Sequence, residues 1–165
     1  MIKADPLEIK YLAQASRLAN AIFSSEKILP SEMFEASLNK EKFKNFIKLE
    51  KDIKTLEYFL ALDHKENVLG TSGLYSLKTD EKDSYWLGWY CVDEKYRGRG
   101  VGKLLLDIAI NEAKKRGKRF LKLYTSTNPL EAKAQEIYEK NGFYITDQER
   151  VKEGAFETFF RKKEL

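Results

Sequence analysis

The stretch Arg97-Gly98-Arg99-Gly100-Val101-Gly102-Lys103 lies between two different patterns. Before it is an aromatic-rich apolar run, Ser84 to Val92, that reads as a strand; after it is a helical pattern from about Val101 to Arg116. Three alternating glycines let the backbone turn tightly and leave no side chain in the way of a close ligand. The amides of such a turn and of the first helical residues have no partner inside the helix, and they meet the positive end of its dipole. A pyrophosphate suits that place. Arg97, Arg99 and Lys103 add positive charge beside it. Two other phosphate loops do not fit. A P-loop needs four residues between its glycines and then Gly-Lys-Ser/Thr. A dinucleotide fingerprint needs glycine where Lys103 stands and an acidic residue about twenty positions on. Lys118 to Asn128 holds neither Asp nor Glu.

Working outward, Leu56 to Leu62 and Val68 to Leu77 read as a strand hairpin around the polar run Asp63-His64-Lys65-Glu66-Asn67. Beyond the loop helix, Gly117 is placed to cap its end, and Phe120 to Thr125 is a strand. Leu130 to Asn141 is a helix stopped by Gly142. Phe143 to Val151 and Ala155 to Arg161 read as a closing antiparallel pair around Lys152-Glu153-Gly154. The first third reads as helical. Asp5-Pro6-Leu7-Glu8 has the residues of a helix start, with Asp5 as cap, Pro6 in the first turn and Glu8 in a capping box. Leu7, Tyr11, Leu18 and Ile22 follow near helical spacing. A second helical region runs from Ser31 to Leu49 with a break near Asn39. This order implies a mixed sheet with helices on both faces.

The chain has 165 residues, 42% hydrophobic and 34% charged, which fits one globular domain over residues 1–165. Charges interrupt every long apolar run well short of a membrane span, and Asp5, Glu8 and Lys10 argue against a secretory signal. A cytoplasmic location is the default expectation. Cys91 is the only cysteine, so neither an internal disulfide nor a cysteine-built zinc site is expected. No metal is expected at all. His64 is the only histidine and reads as a solvated turn residue rather than a catalytic base. The net charge of +4 suits an anionic cofactor. The lysines are spread along the chain, which argues against a nucleic-acid face.

The stretch from Trp86 to Phe143 resembles the core of the GCN5-related N-acetyltransferase (GNAT) superfamily. Its hallmark, Gln/Arg-x-x-Gly-x-Gly/Ala after a central strand, is matched by Arg97-Gly98-Arg99-Gly100-Val101-Gly102. A second feature, a helix ending in Tyr-x-x-x-Gly-Phe, is matched by Tyr138-Glu139-Lys140-Asn141-Gly142-Phe143. Leu130, Ala134, Ile137 and Asn141 fall on one face of that helix, with Tyr138 beside them.

The resemblance implies an α/β (mixed α+β) fold, a mostly antiparallel, twisted sheet of six or seven strands. It implies acetyl-CoA as cosubstrate. The pyrophosphate would lie on the amides of Arg97 to Lys103, and the pantetheine arm would pair with the backbone of Tyr90, Cys91 and Val92. Tyr138 would protonate the leaving thiolate. Two positions depart from the pattern. Glu131 stands where the family often has an asparagine that holds the pantetheine, with Asn128 the nearest alternative. Only Ile2-Lys3-Ala4 precedes the helix start, so the family's first strand is expected short or missing.

The expected activity is acyl-CoA-dependent N-acyl transfer to a primary amine on a small molecule, amino acid or protein N-terminus. The amine, deprotonated from a pKa near ~10.4, attacks the thioester directly in a ternary complex. A backbone amide near Cys91 stabilises the oxyanion, and Cys91 itself reads as a small apolar strand residue rather than a nucleophile. Glu57 and Glu157 are the carboxylates on strands that face a cleft in principle; neither is marked as the general base. The acceptor is expected between the first helices and the last hairpin, among Phe23, Phe34, Phe156, Phe159 and Phe160. Two rival readings are a non-catalytic acyl-CoA-binding module of the same fold and an RNA-directed acetyltransferase. The resemblance is compatible with a homodimer.

Overall fold

Runs of apolar residues become strands, and only the central one is covered on both faces along nearly its whole length. In the computed structural model, which describes residues 1–150 and 155–165, β1 (Lys3–Pro6), β2 (Ile53–Leu62), β3 (Val68–Leu77) and β4 (Ser84–Val92) form an antiparallel series. β5 (Phe120–Ser126) lies parallel to β4, and β7 (Glu157–Glu164) is inserted between β5 and the edge strand β6 (Tyr144–Arg150). The sheet order is β1-β2-β3-β4-β5-β7-β6, so the β4–β5 pair is the one parallel contact among the described residues.

Alternation decides which helix meets which face. Tyr58, Leu60, Leu62 and Cys91 pack against α1 (Leu12–Ile22) and α2 (Pro30–Leu38) through Ala15, Ala19, Met33 and Phe34. Phe59, Leu74, Leu87, Leu121 and Leu123 face the other way. They meet Leu106, Ala109, Ile110 and Ala113 of α4 (Val101–Lys115) and Tyr138 of α5 (Ala132–Lys140). β3, buried along nearly its whole length, is the centre of both layers.

The chain start corrects the sequence reading. Asp5 and Pro6 do not open a helix; they pair with Leu60 and Phe59 in β1. Pro6 lacks an N–H, and an edge strand tolerates that. Leu7 then donates its amide to the Tyr58 carbonyl at 2.8 Å and is buried, before a single 3-10 turn leads into α1. The expected first strand is thus short but present. Ala15 and Ala19, fully buried, carry the inner face of α1, while Ile22 stays exposed.

Other local signals fold as expected. Asn39 separates α2 from α3 (Lys40–Leu49), its side chain accepting from the amides of Glu41 and Lys42 at 3.0 Å each. Gly117 and Gly142 end α4 and α5 with φ of +70° and +84°. The helix read from Leu130 begins with a 3-10 turn, Pro129–Glu131, before α5 proper. The Lys152-Glu153-Gly154 turn lies outside the described residues, as does the side chain of Leu130.

Candidate active site

β4 and β5 pair at Ser84–Phe120, Tyr85–Leu121 and Trp86–Lys122, and then part. β5 continues along β7 as far as Ser126–Thr158. From Leu87 to Val92 the β5-facing edge of β4 has no strand partner among the described residues. The physical cause lies in β4 itself. Between Gly88 and Cys91 it carries an extra residue against β3, and Trp89 takes a left-handed φ of 39°. Such a bulge bends a strand and increases its twist. The Thr71 hydroxyl pins it by donating to the Trp89 carbonyl at 2.6 Å. Nothing in the one-dimensional pattern marks the bulge, because Trp89 is an ordinary strand residue.

The glycine loop stands at the open end of this gap. Gly98 and Gly100 have φ of +74° and +83°, which glycine adopts without strain. A Cβ built on either would meet nothing within 4 Å, so the cradle is open. Leu104 is the residue whose amide closes onto the Gly100 carbonyl, at 3.0 Å. The amides of Val101, Gly102 and Lys103 precede that bond, as at any helix start.

The three cations are not equivalent. Arg97 donates through Nε to the Val92 carbonyl at 3.3 Å, tying the loop to the strand end. Arg99 lies over the Tyr96 ring, 5.6 Å from its centroid. Neither has a carboxylate partner among the described residues. Lys103 pairs with Asp107 at 2.6 Å, one helical turn on.

Two side chains, Tyr90 and Tyr138, line the inside of the gap. Tyr90 points toward α4 and α5, with its hydroxyl buried and unpartnered. Burial, with smaller contributions from Cys91 and Asp107, pushes its pKa up to about 12. Tyr138 is 7% exposed, its ring 5.8 Å from those of both Tyr90 and Phe143. Burial raises its pKa above the ordinary phenol range. Tyr90, Glu131 and Cys91 add to the rise, and Arg161 opposes it. Tyr138 therefore stays protonated at neutral pH and can act as an O–H donor. Cys91 points to the opposite face, buried in the α1–α2 layer. Burial pushes its thiol up to about 11, which leaves it a poor nucleophile at neutral pH.

The end of β5 is held by a residue the sequence reading treated only as a departure. Glu131 Oε2 accepts from the Thr125 hydroxyl and the Ser126 amide, both at 2.6 Å. Gln135 donates to the Ser126 carbonyl at 2.7 Å and accepts from Arg161, which also pairs with Glu139. Asn128 sits in the turn between, its carbonyl accepting from the Glu131 amide at 2.8 Å. The strand carboxylates Glu57 and Glu157 are both engaged. Glu57 pairs with Arg116 near the C-terminal end of α4, and Glu157 with Arg150 and Gln148. His64 is exposed at the β2–β3 turn, as expected.

Taken together, the gap fits a long phosphorylated thioester. It has an open glycine cradle at a helix start, beside it two arginines with no carboxylate partner among the described residues, a stretch of β4 edge with no strand partner there, and the neutral phenol of Tyr138 against Tyr90. Among the described residues no group of three or more His, Cys, Asp or Glu side chains is placed to hold a metal ion, and no helix is long and apolar enough to cross a membrane.

Known structures share this architecture. A GNAT-family protein from Desulfovibrio desulfuricans superposes with a TM-score of 0.76 at 16% identity, over 99% of each chain. The ribosomal-protein-S18-alanine N-acetyltransferase from Escherichia coli superposes with a TM-score of 0.70 at 18% identity, over 99% of this chain and 94% of that one. A chain of the NatC complex, crystallised with a Gag peptide and CoA, superposes at 0.71 and 19% identity, over 99% of this chain and 98% of that one. At these identities the likeness is one of fold. No curated protein matches the sequence. A family model for the acetyltransferase (GNAT) family matches residues 21–143, a span that takes in α2 to α5 and both motifs, and the chain belongs to that family.

Proposed function

We propose that residues 1–165 form one acetyltransferase domain that moves the acetyl group of acetyl-CoA to a primary amine. The observation that carries this reading is the parting of β4 from β5 after Trp86, which leaves a free strand edge between the glycine loop and Tyr138. Family members use acetyl-CoA, and the proposal assigns the amides of Arg97 to Lys103 to its pyrophosphate. The backbone of Tyr90, Cys91 and Val92 takes the pantetheine, with Asn128 near its path.

The reaction is direct. The amine lone pair attacks the acetyl carbonyl carbon, forming C–N, and a β4 amide near Cys91 stabilises the oxyanion. The C–S bond then breaks, its electron pair goes to sulfur, and Tyr138 gives sulfur its proton. The proton lost by the amine leaves to solvent, and solvent reprotonates Tyr138. Cys91 forms no acyl intermediate.

Calorimetric titration with acetyl-CoA tests the reading, comparing the parent with Gly100→Glu and Gly100→Ala. Both substitutions strain the left-handed backbone, and only the first adds negative charge where the pyrophosphate lies. Binding by the parent, retained in part by the alanine variant and lost with glutamate, is expected. A folded parent that does not bind acetyl-CoA would overturn the assignment.

A further inference from the structure

Four rings on the face of the sheet turned away from α4 and α5 belong to none of the three buried clusters. Tyr75 stacks on Trp86, with centroids 6.1 Å apart and planes at 23°. Trp86 meets Phe160 edge-on at 6.5 Å and 89°. Phe160 leans on Tyr124 at 6.4 Å and 50°. Phe23, resting on Trp89 at 5.0 Å, stands where the end of α1 reaches β4. Trp86 is the last β4 residue paired with β5, and Tyr124 lies two residues beyond its partner Lys122. This aromatic row therefore borders the same gap as Tyr138, from the opposite face.

The row is bordered by negative charge. Glu131 is anchored next to Tyr124 through Thr125 and Ser126. Glu26, exposed on the turn after α1, acts on the Tyr124 hydroxyl together with Glu131, and both add to the rise that burial imposes on its pKa. Of the basic groups, Lys122 lies over Trp86 and is neutralised by Asp80 at 2.8 Å. Lys162 lies at the far end, over Phe120 and Tyr144.

A separate feature lies beneath the row. The Tyr58 hydroxyl is buried without a partner. It lies 3.5 Å from where a Cβ on Gly88 would stand, with the Tyr75 ring 3.3 Å from the same point. The missing side chain at Gly88 thus lets the Tyr58 hydroxyl and the Tyr75 ring pack closely against β4, just beyond the point where it leaves β5.

We propose that this row is the acceptor subsite and that it selects amines with a second positive charge, of the alkyl diamine class, over amines whose far end is neutral or carboxylate. The proposal rests on the N-acetyltransferase reading above. Ring faces attract ammonium groups and repel carboxylates, and Glu26 and Glu131 act in the same direction. With an alkylammonium pKa near ~10.4, such an acceptor enters as a dication at neutral pH.

Three probes of one length differ only at the far end: pentane-1,5-diamine, pentylamine and 5-aminopentanoate. Acetyl transfer to each is measured as kcat/KM by mass spectrometry of the product. Binding of each to the protein alone is measured by saturation-transfer NMR. The diamine is expected to exceed pentylamine about tenfold or more, with the carboxylate weakest. Glu26→Gln and Tyr124→Ala are expected to bring that preference down to about threefold or less, with acetyl-CoA affinity unchanged in both. Equal use of the three probes, preference for the carboxylate, or a preference intact in both variants would overturn the subsite. Selective diamine binding without any acetyl transfer would keep the subsite and remove the N-acetyltransferase reading. Absence of both binding and transfer would remove both.

Discussion

Gly102, in the first turn of α4, lies directly against the Tyr90 hydroxyl: a Cβ at position 102 would stand 2.7 Å from that oxygen. The third glycine of the loop is therefore a contact residue, with an ordinary negative φ, whereas Gly98 and Gly100 are needed for their backbone conformation. Through this contact the start of the helix sits on the strand edge that leads to Tyr138.

Gly102→Ala should accordingly force Tyr90 to move and destabilise the fold by about 1–3 kcal/mol. Tyr90→Phe removes a buried hydroxyl that has no partner, so alone it should be neutral or stabilising. The double variant should regain most of the loss. Chemical denaturation of the four proteins measures this, and a double variant no better than Gly102→Ala would show that the contact is not the cause.

Tyr138→Phe keeps the ring that packs on Tyr90 and Phe143 and removes only the hydroxyl proposed as the proton donor. Turnover should drop on the order of a hundredfold or more, with the affinity for acetyl-CoA within about twofold of the parent. Steady-state kinetics and calorimetry give the two numbers. Unchanged kcat would take Tyr138 out of the chemistry.

The Cys91 thiol, pushed up to about 11 by burial, makes stability depend on pH in the alkaline range. In the unfolded chain it ionises near ~8.5. Between these values the unfolded state has lost its proton and the native state has not, so stability falls as pH rises. Cys91→Ala should show a shallower loss of stability from pH ~8.5 upward. Iodoacetamide at pH 8 should leave the native thiol largely unmodified and alkylate it readily in denaturant. Fast native alkylation would contradict the burial.

At the centre of the sheet, Gly73 passes under the Tyr58 ring. A Cβ there would lie 2.3 Å from Tyr58 Cδ1 and 2.6 Å from the Glu57 carbonyl oxygen. Because one of those atoms is backbone, no rotamer change relieves the clash. Gly73→Ala should lower stability by at least about 1–3 kcal/mol, with a fall in Tm of about 2–4 °C for each kcal/mol. A thermal melt matching the parent would refute this.

Local chemistry determined much of this protein before any fold was known. The limits of β3 and β4, the break at Asn39 and the glycine stops at Gly117 and Gly142 follow from short-range rules of alternation, capping and backbone freedom. The loop from Arg97 to Lys103 and the Tyr138–Phe143 helix end are contiguous motifs, legible for the same reason. The Asp5-Pro6 signal misled because a cap and a strand end use the same residues. The choice was made by the Leu60 and Phe59 backbone of β2, which lies far away in the chain. The β4–β5 gap, the bulge at Trp89, the anchoring of Glu131 and the aromatic row from Tyr75 to Tyr124 were likewise settled only by tertiary structure. Each depends on which strand lies next to which and on where pairing stops, and those are properties of contacts between distant segments that no single stretch of sequence contains.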